Sequence, residues 1–189
     1  MPNDIFGLNS NYRLPKPIAK ITQGYVAIEA DPYAEAIYQS KETELPHFIS
    51  FSDDDSQIDA IIRIISKRKM KSVGILVPDN ERVLSTMKSL TNRDFICEFK
   101  YNAGYNDKRN RDTLDFSTTN PKLMTYHSAK GLQFETVILP FYKGAKDREK
   151  RKALYVAMTR TYRFLYVLYS GEISRPLSDV PSQLYQNEL

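Results

Sequence analysis

Between Leu123 and Pro140 the chain reads LMTYHSAKGLQFETVILP, and this stretch decides the fold. Two largely apolar segments, Lys122–Tyr126 and Thr136–Pro140, have the length of buried strands. The polar cluster between them carries side chains that can donate hydrogen bonds to phosphate oxygens, and its glycine permits backbone conformations closed to other residues. The cluster comprises Thr125, His127, Ser128, Lys130, Gly131 and Gln133. The stretch therefore predicts two strands joined by a phosphate-binding segment, with an ordinary polar loop as the alternative.

The alternation of short apolar segments with amphipathic ones continues in both directions. Isoleucines at positions 58, 61, 62 and 65 share one face of a predicted helix. Further strands are predicted over His47–Phe51, Ser72–Val77, Phe95–Phe99 and Arg163–Tyr169, and further helices after Pro17, after Asp79 and over Asp147–Arg160. Such alternation predicts a mainly parallel sheet with helices on both faces, an α/β fold whose ligands bind at the carboxyl ends of the strands.

Two polar segments fall outside this pattern. Asn102–Asp115 predicts a surface loop, and residues 171–189 predict a tail that lies on the surface or frays. The chain has 189 residues, a length that favours one domain. We therefore expect a single domain over residues 1–170, followed by a C-terminal tail over residues 171–189.

Composition excludes several classes of protein. The single cysteine, Cys97, excludes an internal disulfide, and with only two histidines a Cys/His zinc site is excluded as well. We expect no metal site in this chain. No apolar run approaches the roughly 18 residues of a membrane span. The N-terminus has no basic and apolar leader, so we expect a cytoplasmic protein.

The positive charge is concentrated in one segment. The net charge of the chain is +4, yet residues 143–163 contain eight basic residues and two acidic ones. Such a run is compatible with a solvated helix face and with nucleic-acid binding, and the sequence leaves both open.

Two shorter features carry further phosphate-binding potential. Arg160 ends a predicted helix directly before a strand, where a guanidinium can stabilise phosphate charge or simply complement the helix dipole. Tyr12 and Arg13 stand together near the N-terminus, where they could stack on a base and reach a phosphate or merely form a turn.

Three segments together resemble motifs IV, V and VI of superfamily 1 helicases of the UvrD/Rep/PcrA type. They are Asn11-Tyr12-Arg13, TYHSAKGLQF over residues 125–134 and LYVAMTR over residues 154–160. The motifs occur in the family's order, and the resemblance spans about residues 11–170. It implies the second RecA-like domain of a helicase motor, a P-loop-NTPase-like domain that itself lacks the P-loop.

The resemblance also implies roles for individual residues. Tyr12 resembles the tyrosine that stacks on adenine, and Arg13 and Arg160 resemble the two arginines that reach the γ-phosphate. Gly131 and Gln133 belong to motif V and are expected to contact the bound nucleotide. The expected contacts to a single-stranded DNA backbone are Thr125, His127, Ser128 and Lys130. The sequence departs from the family at Gln133, where Glu is common, and in the basic run, where Lys150 and Lys152 replace a more mixed stretch.

The other half of an ATP site is missing from the sequence. None of the seven glycines precedes a lysine, so there is no Walker A motif, and no Asp-Glu pair is present to hold Mg²⁺. We expect ATP and Mg²⁺ only in a complete two-domain enzyme, with an N-terminal RecA-like partner domain supplying Walker A. Neither should bind tightly to this chain alone.

The main alternative is a stand-alone, non-catalytic module that keeps nucleic-acid or protein contacts. An in-frame Walker A motif upstream in the gene would separate a helicase segment from such a module. A response-regulator-like domain is a weaker alternative, because no acidic cluster stands at the end of a predicted strand.

Because the phosphate-cradling loop is missing, we expect the purified chain to hydrolyse no ATP, with or without single-stranded DNA. Phosphate release at millimolar ATP measures this directly, with Arg160→Ala as the control. Turnover above background that Arg160→Ala abolishes would contradict the expectation.

Overall fold

The computed structural model describes residues 10–11, 14–28, 37–38, 40–102, 104 and 107–189. Its main feature is a seven-stranded sheet in the order β3-β9-β8-β4-β7-β5-β6, parallel except for the last pair. The strands are β3 His47–Phe51, β4 Val73–Val77, β5 Glu98–Tyr101, β6 Arg111–Asp112, β7 Lys122–Thr125, β8 Phe134–Leu139 and β9 Thr161–Ser170. A separate parallel pair joins β1 Ser10–Asn11 to β2 Ile37–Tyr38. The predicted α/β fold with a mainly parallel sheet is confirmed.

Helices cover both faces of the sheet. They are α1 Lys16–Ile21, which continues into a π-helical turn over Thr22–Val26, α2 Asp54–Arg68, α3 Asn80–Thr91 and α4 Arg148–Met158. The last three are each preceded by an N-cap aspartate, Asp53, Asp79 and Asp147. The carboxylate of each accepts the backbone N–H three residues later, at Ser56, Arg82 and Lys150 respectively. Such N-caps satisfy donors that the first helical turn leaves free. No helix of the described residues is long and apolar enough to cross a membrane.

The central strand β4 pairs with β7 on one side and β8 on the other. All five of its residues are buried, and side chains of β4 belong to cores on both faces. A Cβ on Gly74 would lie only 2.6 Å from the Phe134 ring, so this close approach requires glycine. Buried on both faces, the strand has the continuous apolar sequence that parallel sheets require.

In two segments the observed secondary structure differs from the prediction. The strand expected over Phe95–Phe99 is β5, Glu98–Tyr101, because the Phe95 N–H closes the end of α3 by donating to the Leu90 carbonyl. The loop expected over Asn102–Asp115 contains β6, which pairs with β5 in an antiparallel hairpin. The sequence prediction of a loop throughout that segment was therefore wrong.

The C-terminal tail packs against the sheet. Leu177 and Val180 are buried in the core, and the Phe48 N–H donates to the Gln186 carbonyl at 2.7 Å. The Tyr185 ring stacks on Phe48 with 4.7 Å between centroids. Tyr185 and Gln186 thus cover the otherwise open edge at β3, where an unpaired strand would invite association.

A buried ion pair ties β5 to β7. Lys122 Nζ lies 2.9 Å from a Glu98 carboxylate oxygen, and both side chains are almost completely buried. Burial raises the pKa of Glu98, but hydrogen bonds from Thr118, Lys122, the Asp115 N–H and Asn120 outweigh it and lower the pKa to about 2. Because the pKa of the folded protein is the lower one, the carboxylate stabilises the fold above its ordinary pKa. This stabilisation is lost as the pH falls towards 2.

Glu98→Gln should therefore destabilise the domain strongly at pH 7, because it leaves the Lys122 ammonium buried without a counter-charge, at a cost of about 3–5 kcal/mol. The deficit relative to wild type should shrink between pH 4.5 and pH 2. Urea unfolding across that range measures it. Asp112→Asn, which breaks the exposed Lys100–Asp112 pair of the same hairpin, is the matched control and should cost about 1 kcal/mol or less.

Candidate functional site

The polar cluster of the sequence crosses one face of the sheet. Thr125 ends β7 opposite Val77, at the edge where the parallel strands finish, here called the carboxyl edge. Phe134 begins β8 opposite Thr161, at the contrary amino edge. Residues 126–133, the crossing segment, therefore connect the two edges. Tyr126 and Ala129 anchor it in the core, while His127, Lys130 and Gln133 are exposed.

Hydroxyl groups shape the first turn of the crossing segment. The Thr125 hydroxyl accepts the Ser128 N–H at 3.1 Å and donates to the Ser128 hydroxyl oxygen at 3.0 Å. Thr125 itself is buried. Its hydroxyl is thus engaged in the turn, whereas the hydroxyl hydrogen of Ser128 can still point outward to an acceptor.

The exposed side chains of this turn face solvent. Among the described residues, neither the His127 imidazole nor the Lys130 ammonium has a hydrogen-bond or ion-pair partner. Gly131 has a φ of +88°, a left-handed conformation that residues with a Cβ rarely adopt. The turn therefore presents an imidazole, an ammonium and a hydroxyl to solvent, and its backbone conformation at residue 131 favours glycine.

Arg160 lies at the amino edge. Its Nε donates to the Val156 carbonyl at 3.0 Å and its Nη2 to the Thr159 hydroxyl at 3.4 Å, so the guanidinium covers the end of α4. Burial lowers the pKa of Arg160 from its ordinary value, although a guanidinium remains protonated in proteins. The Phe134 N–H donates to the Arg160 carbonyl at 2.9 Å, which places Gln133 beside Arg160.

The candidate residues therefore form two groups on opposite edges. His127, Ser128 and Lys130 lie near the carboxyl edge, where parallel α/β sheets bind their ligands. Arg160 and Gln133 stand at the amino edge, contrary to that rule. Tyr12 and Arg13 lie outside the described residues.

One feature of the carboxyl edge has no counterpart in the sequence prediction. A cleft of about 590 Å³ opens beside Tyr126, lined by segments that follow β4 and β8 and by the start of α4. The sequence places Asp79, Tyr126 and Leu154 in predicted elements and Lys143, Lys146 and Lys150 in the basic run, but it does not indicate that they share a site. Residues from four separate stretches of chain build it, so no local pattern could have indicated it.

The comparison with known families supports the motif assignment. Residues 122–168, which include motifs V and VI, match the model of the UvrD-like helicase C-terminal domain. The resemblance is confirmed.

A solved structure shows the same fold over almost the whole chain. It is the C-terminal domain of a possible DNA helicase from Lactobacillus plantarum WCFS1, with a TM-score of 0.65 and 16% sequence identity. The match covers 94% of this chain and 99% of that one. The present chain therefore has the RecA-like fold of a helicase C-terminal domain.

More distant matches come from viral helicases. The PRRSV helicase aligns with 69% of this chain at 13% identity, and an arterivirus nonstructural protein 10 in complex with DNA aligns with 74% at 10% identity, each with a TM-score of 0.46. The matched region spans 26% and 32% of those chains, respectively. The sequence matches none of the curated proteins.

Thr125→Val should test the turn. Valine keeps the shape of the side chain but removes the hydroxyl, so both hydrogen bonds with Ser128 are lost, at a cost of about 1–3 kcal/mol. Thr125→Ser keeps the hydroxyl and should cost less. Urea unfolding of both variants measures the difference, and equal stabilities would show that the hydroxyl does not hold the turn.

Proposed function

We propose that this chain is the C-terminal motor domain of an ATP-dependent DNA helicase. It supplies the arginine half of an ATP site and part of a track for single-stranded DNA. A partner domain that carries Walker A supplies the phosphate loop and the Mg²⁺ ligands. Arg13 and Arg160 face the γ-phosphate, Tyr12 stacks on adenine, and Gln133 and Gly131 lie on the nucleotide side of motif V.

The crossing segment is the observation that carries this proposal. A motor must connect nucleotide chemistry to movement along a strand, and residues 126–133 run directly between the edge with Arg160 and the edge with His127. The segment is anchored in the core at Tyr126, Ala129 and Leu132. A displacement at one edge therefore shifts a packed element whose other end lies at the second site.

Each edge has the chemistry that its role requires. An arginine forms planar, bidentate contacts with phosphate oxygens, and such a residue reaching in from a second domain stabilises the charge of phosphoryl transfer. In this structure Arg160 is bonded to its own helix end, so reaching a phosphate replaces its contact with the Val156 carbonyl. At the other edge, the Ser128 hydroxyl, the His127 imidazole and the Lys130 ammonium suit phosphodiester oxygens and carry no base information.

In the complete two-domain enzyme, Arg160→Lys should reduce kcat by on the order of 10³-fold, because lysine keeps the charge but lacks the planar fork. The change should leave folding nearly intact, since only the helix-end contacts are lost. Steady-state ATPase kinetics and thermal unfolding check the two halves of this expectation. An unchanged kcat would remove Arg160 from the site.

The chain alone should bind single-stranded DNA weakly, with a Kd on the order of 10⁻⁴ to 10⁻⁶ M at physiological salt. Two or three phosphate contacts of the motif V turn correspond to a slope of log K against log salt of about −1.5 to −2. Fluorescence anisotropy with a labelled oligothymidylate measures both quantities.

A pair of double variants locates the contact. His127→Ala with Lys130→Ala should weaken binding, because both exposed side chains of the turn are lost. Lys67→Ala with Lys88→Ala, which removes two exposed lysines from α2 and α3, is the control and should change little. Equal effects would indicate diffuse electrostatic binding and contradict the motif V contact.

A further inference from the structure

Strand β9 contains one extra residue where it begins beside β8. Phe134 pairs with Thr161 at this end. Two residues further along β8, Thr136 pairs with Phe164, which lies three residues further along β9. Such an insertion is a β-bulge, and a shift of one residue changes which side chains point to which face of a sheet. The bulge therefore sets the direction in which Arg160, the residue before β9, leaves the sheet.

The burial of β9 agrees with this interruption. Tyr162 and Arg163 are consecutive and both exposed, whereas Thr161 before them and Phe164 after them are buried. The next four residues of the strand are buried without a break, as expected for a strand covered on both faces. The irregularity is thus confined to the amino edge, and bulges in such places commonly re-aim a side chain beside an active site.

One hydroxyl group holds the bulge together. The Thr161 hydroxyl lies 2.9 Å from the carbonyl oxygens of both Glu135 and Phe164, to either of which it donates. The same oxygen accepts the Arg163 N–H at 3.1 Å. Thr161 is only 1% exposed, so water does not replace these bonds easily. The hydroxyl therefore closes the bulge onto itself and also ties it to β8.

The bulge adjoins both candidate residues of the amino edge. Arg160 directly precedes Thr161, and its carbonyl accepts the Phe134 N–H at 2.9 Å, beside Gln133. The Arg160 guanidinium is bonded to the Val156 carbonyl and must leave it to reach a phosphate. Once it has left, the position of its guanidinium depends on the backbone from which the side chain extends. That backbone is held on one side by the Phe134 N–H and on the other by Thr161.

From these contacts we propose that Thr161 is a positioning residue of the amino-edge site. Its hydroxyl fixes the bulge from which Arg160 reaches the γ-phosphate, and it keeps Gln133 beside that arginine. The inference rests on the proposed function and adds to it a residue that touches neither the nucleotide nor DNA. A misplacement of about 1 Å in a catalytic group can cost about 10²-fold in rate. Loss of the hydroxyl should therefore act on kcat rather than on KM.

The first test uses the chain alone and observes Arg160 directly. In NMR spectra of the chain with isotope-labelled arginine, the Nε–H signal of Arg160 is identified by its absence from Arg160→Lys. Thr161→Val keeps the branched shape and removes the hydroxyl, so this signal should shift and exchange faster with water. Thr161→Ser keeps the hydroxyl and should give the wild-type signal. An unchanged signal in Thr161→Val would overturn the inference.

A milder variant guards against loss of folding. Thr161→Cys retains a side chain of similar size whose thiol is only a weak hydrogen-bond donor and acceptor. It should shift the Arg160 signal in the same direction as Thr161→Val but by less. If Thr161→Val does not fold, the comparison of Thr161→Cys with Thr161→Ser decides the question, and identical signals in these two would contradict the proposal.

The second test uses the complete two-domain enzyme. Thr161→Val should lower kcat about ten- to hundredfold, because the arginine starts from a displaced backbone. The KM for ATP should change less than about twofold, since an interaction made only in the transition state is weakened. Thr161→Ser should retain most of the wild-type kcat. An unchanged kcat with a raised KM would indicate lost ATP binding and overturn the positioning role.

Thr22→Val is the matched control. Thr22 is also buried, and its hydroxyl donates to the Ala19 carbonyl at 3.1 Å. It belongs to the π-helical turn that Arg151 holds near the start of α4, away from Arg160 at the other end. The control should lower the unfolding temperature but leave the Arg160 signal and kcat unchanged. A loss of kcat equal to that of Thr161→Val would attribute the effect to general destabilisation and refute the inference.

The outcomes separate this inference from the proposed function. If Arg160→Lys lowers kcat while Thr161→Val and Thr161→Cys do not, the arginine assignment stands and only this inference fails. If none of the three variants lowers kcat, both fail. A lowered kcat in Thr161→Val that Thr161→Ser restores, together with the shifted Arg160 signal, supports both.

Discussion

Eight residues, 126–133, carry the chain from the end of β7 to the start of β8, and the arrangement of both candidate sites depends on how they do so. They pass over β4, which lies between those two strands. As a helix, eight residues would span only about 12 Å, less than the roughly 16 Å depth of a five-residue strand. The segment must therefore cross as an irregular run of turns. One of these turns requires the left-handed φ of Gly131.

This crossing explains why the chemistry of the domain is divided between two edges. In a parallel sheet with helical crossovers, polar loops collect at the carboxyl edge. Here one continuous segment begins at that edge with His127 and ends at the other beside Arg160. Because Gly74 lets Phe134 pack directly on β4, the segment is anchored in the core at its far end by Phe134 as it is at its near end by Tyr126.

The basic residues of segment 143–163 make different contacts in the tertiary structure. Arg151 donates to the Tyr25 carbonyl at 2.7 Å and secures the π-helical turn, while Arg163 pairs with Glu42 and Glu135. Lys143 and Lys146, in contrast, stand in the cleft. The positive charge of residues 143–163 is thus no uniform patch, and only part of it is available to an anionic partner.

The sequence by itself determined the elements and the motifs. The strands, the helices and the motif assignment could be predicted because they depend on short-range properties. These are local periodicity, N-caps such as Asp53 and Asp79, and the residue order within segments 125–134 and 154–160. The β6 strand could not, because its two residues are polar and exposed and show no apolar pattern. The docking of the tail could not, because Gln186 meets Pro46 and Phe48, which lie far away in the chain. The same holds for the meeting of Gln133 and Arg160 at the amino edge, where β8 pairs with β9, and for the assembly of the cleft around Tyr126. Each of these depends on which strand lies beside which, and that is decided by packing across the sheet rather than by any neighbouring residue.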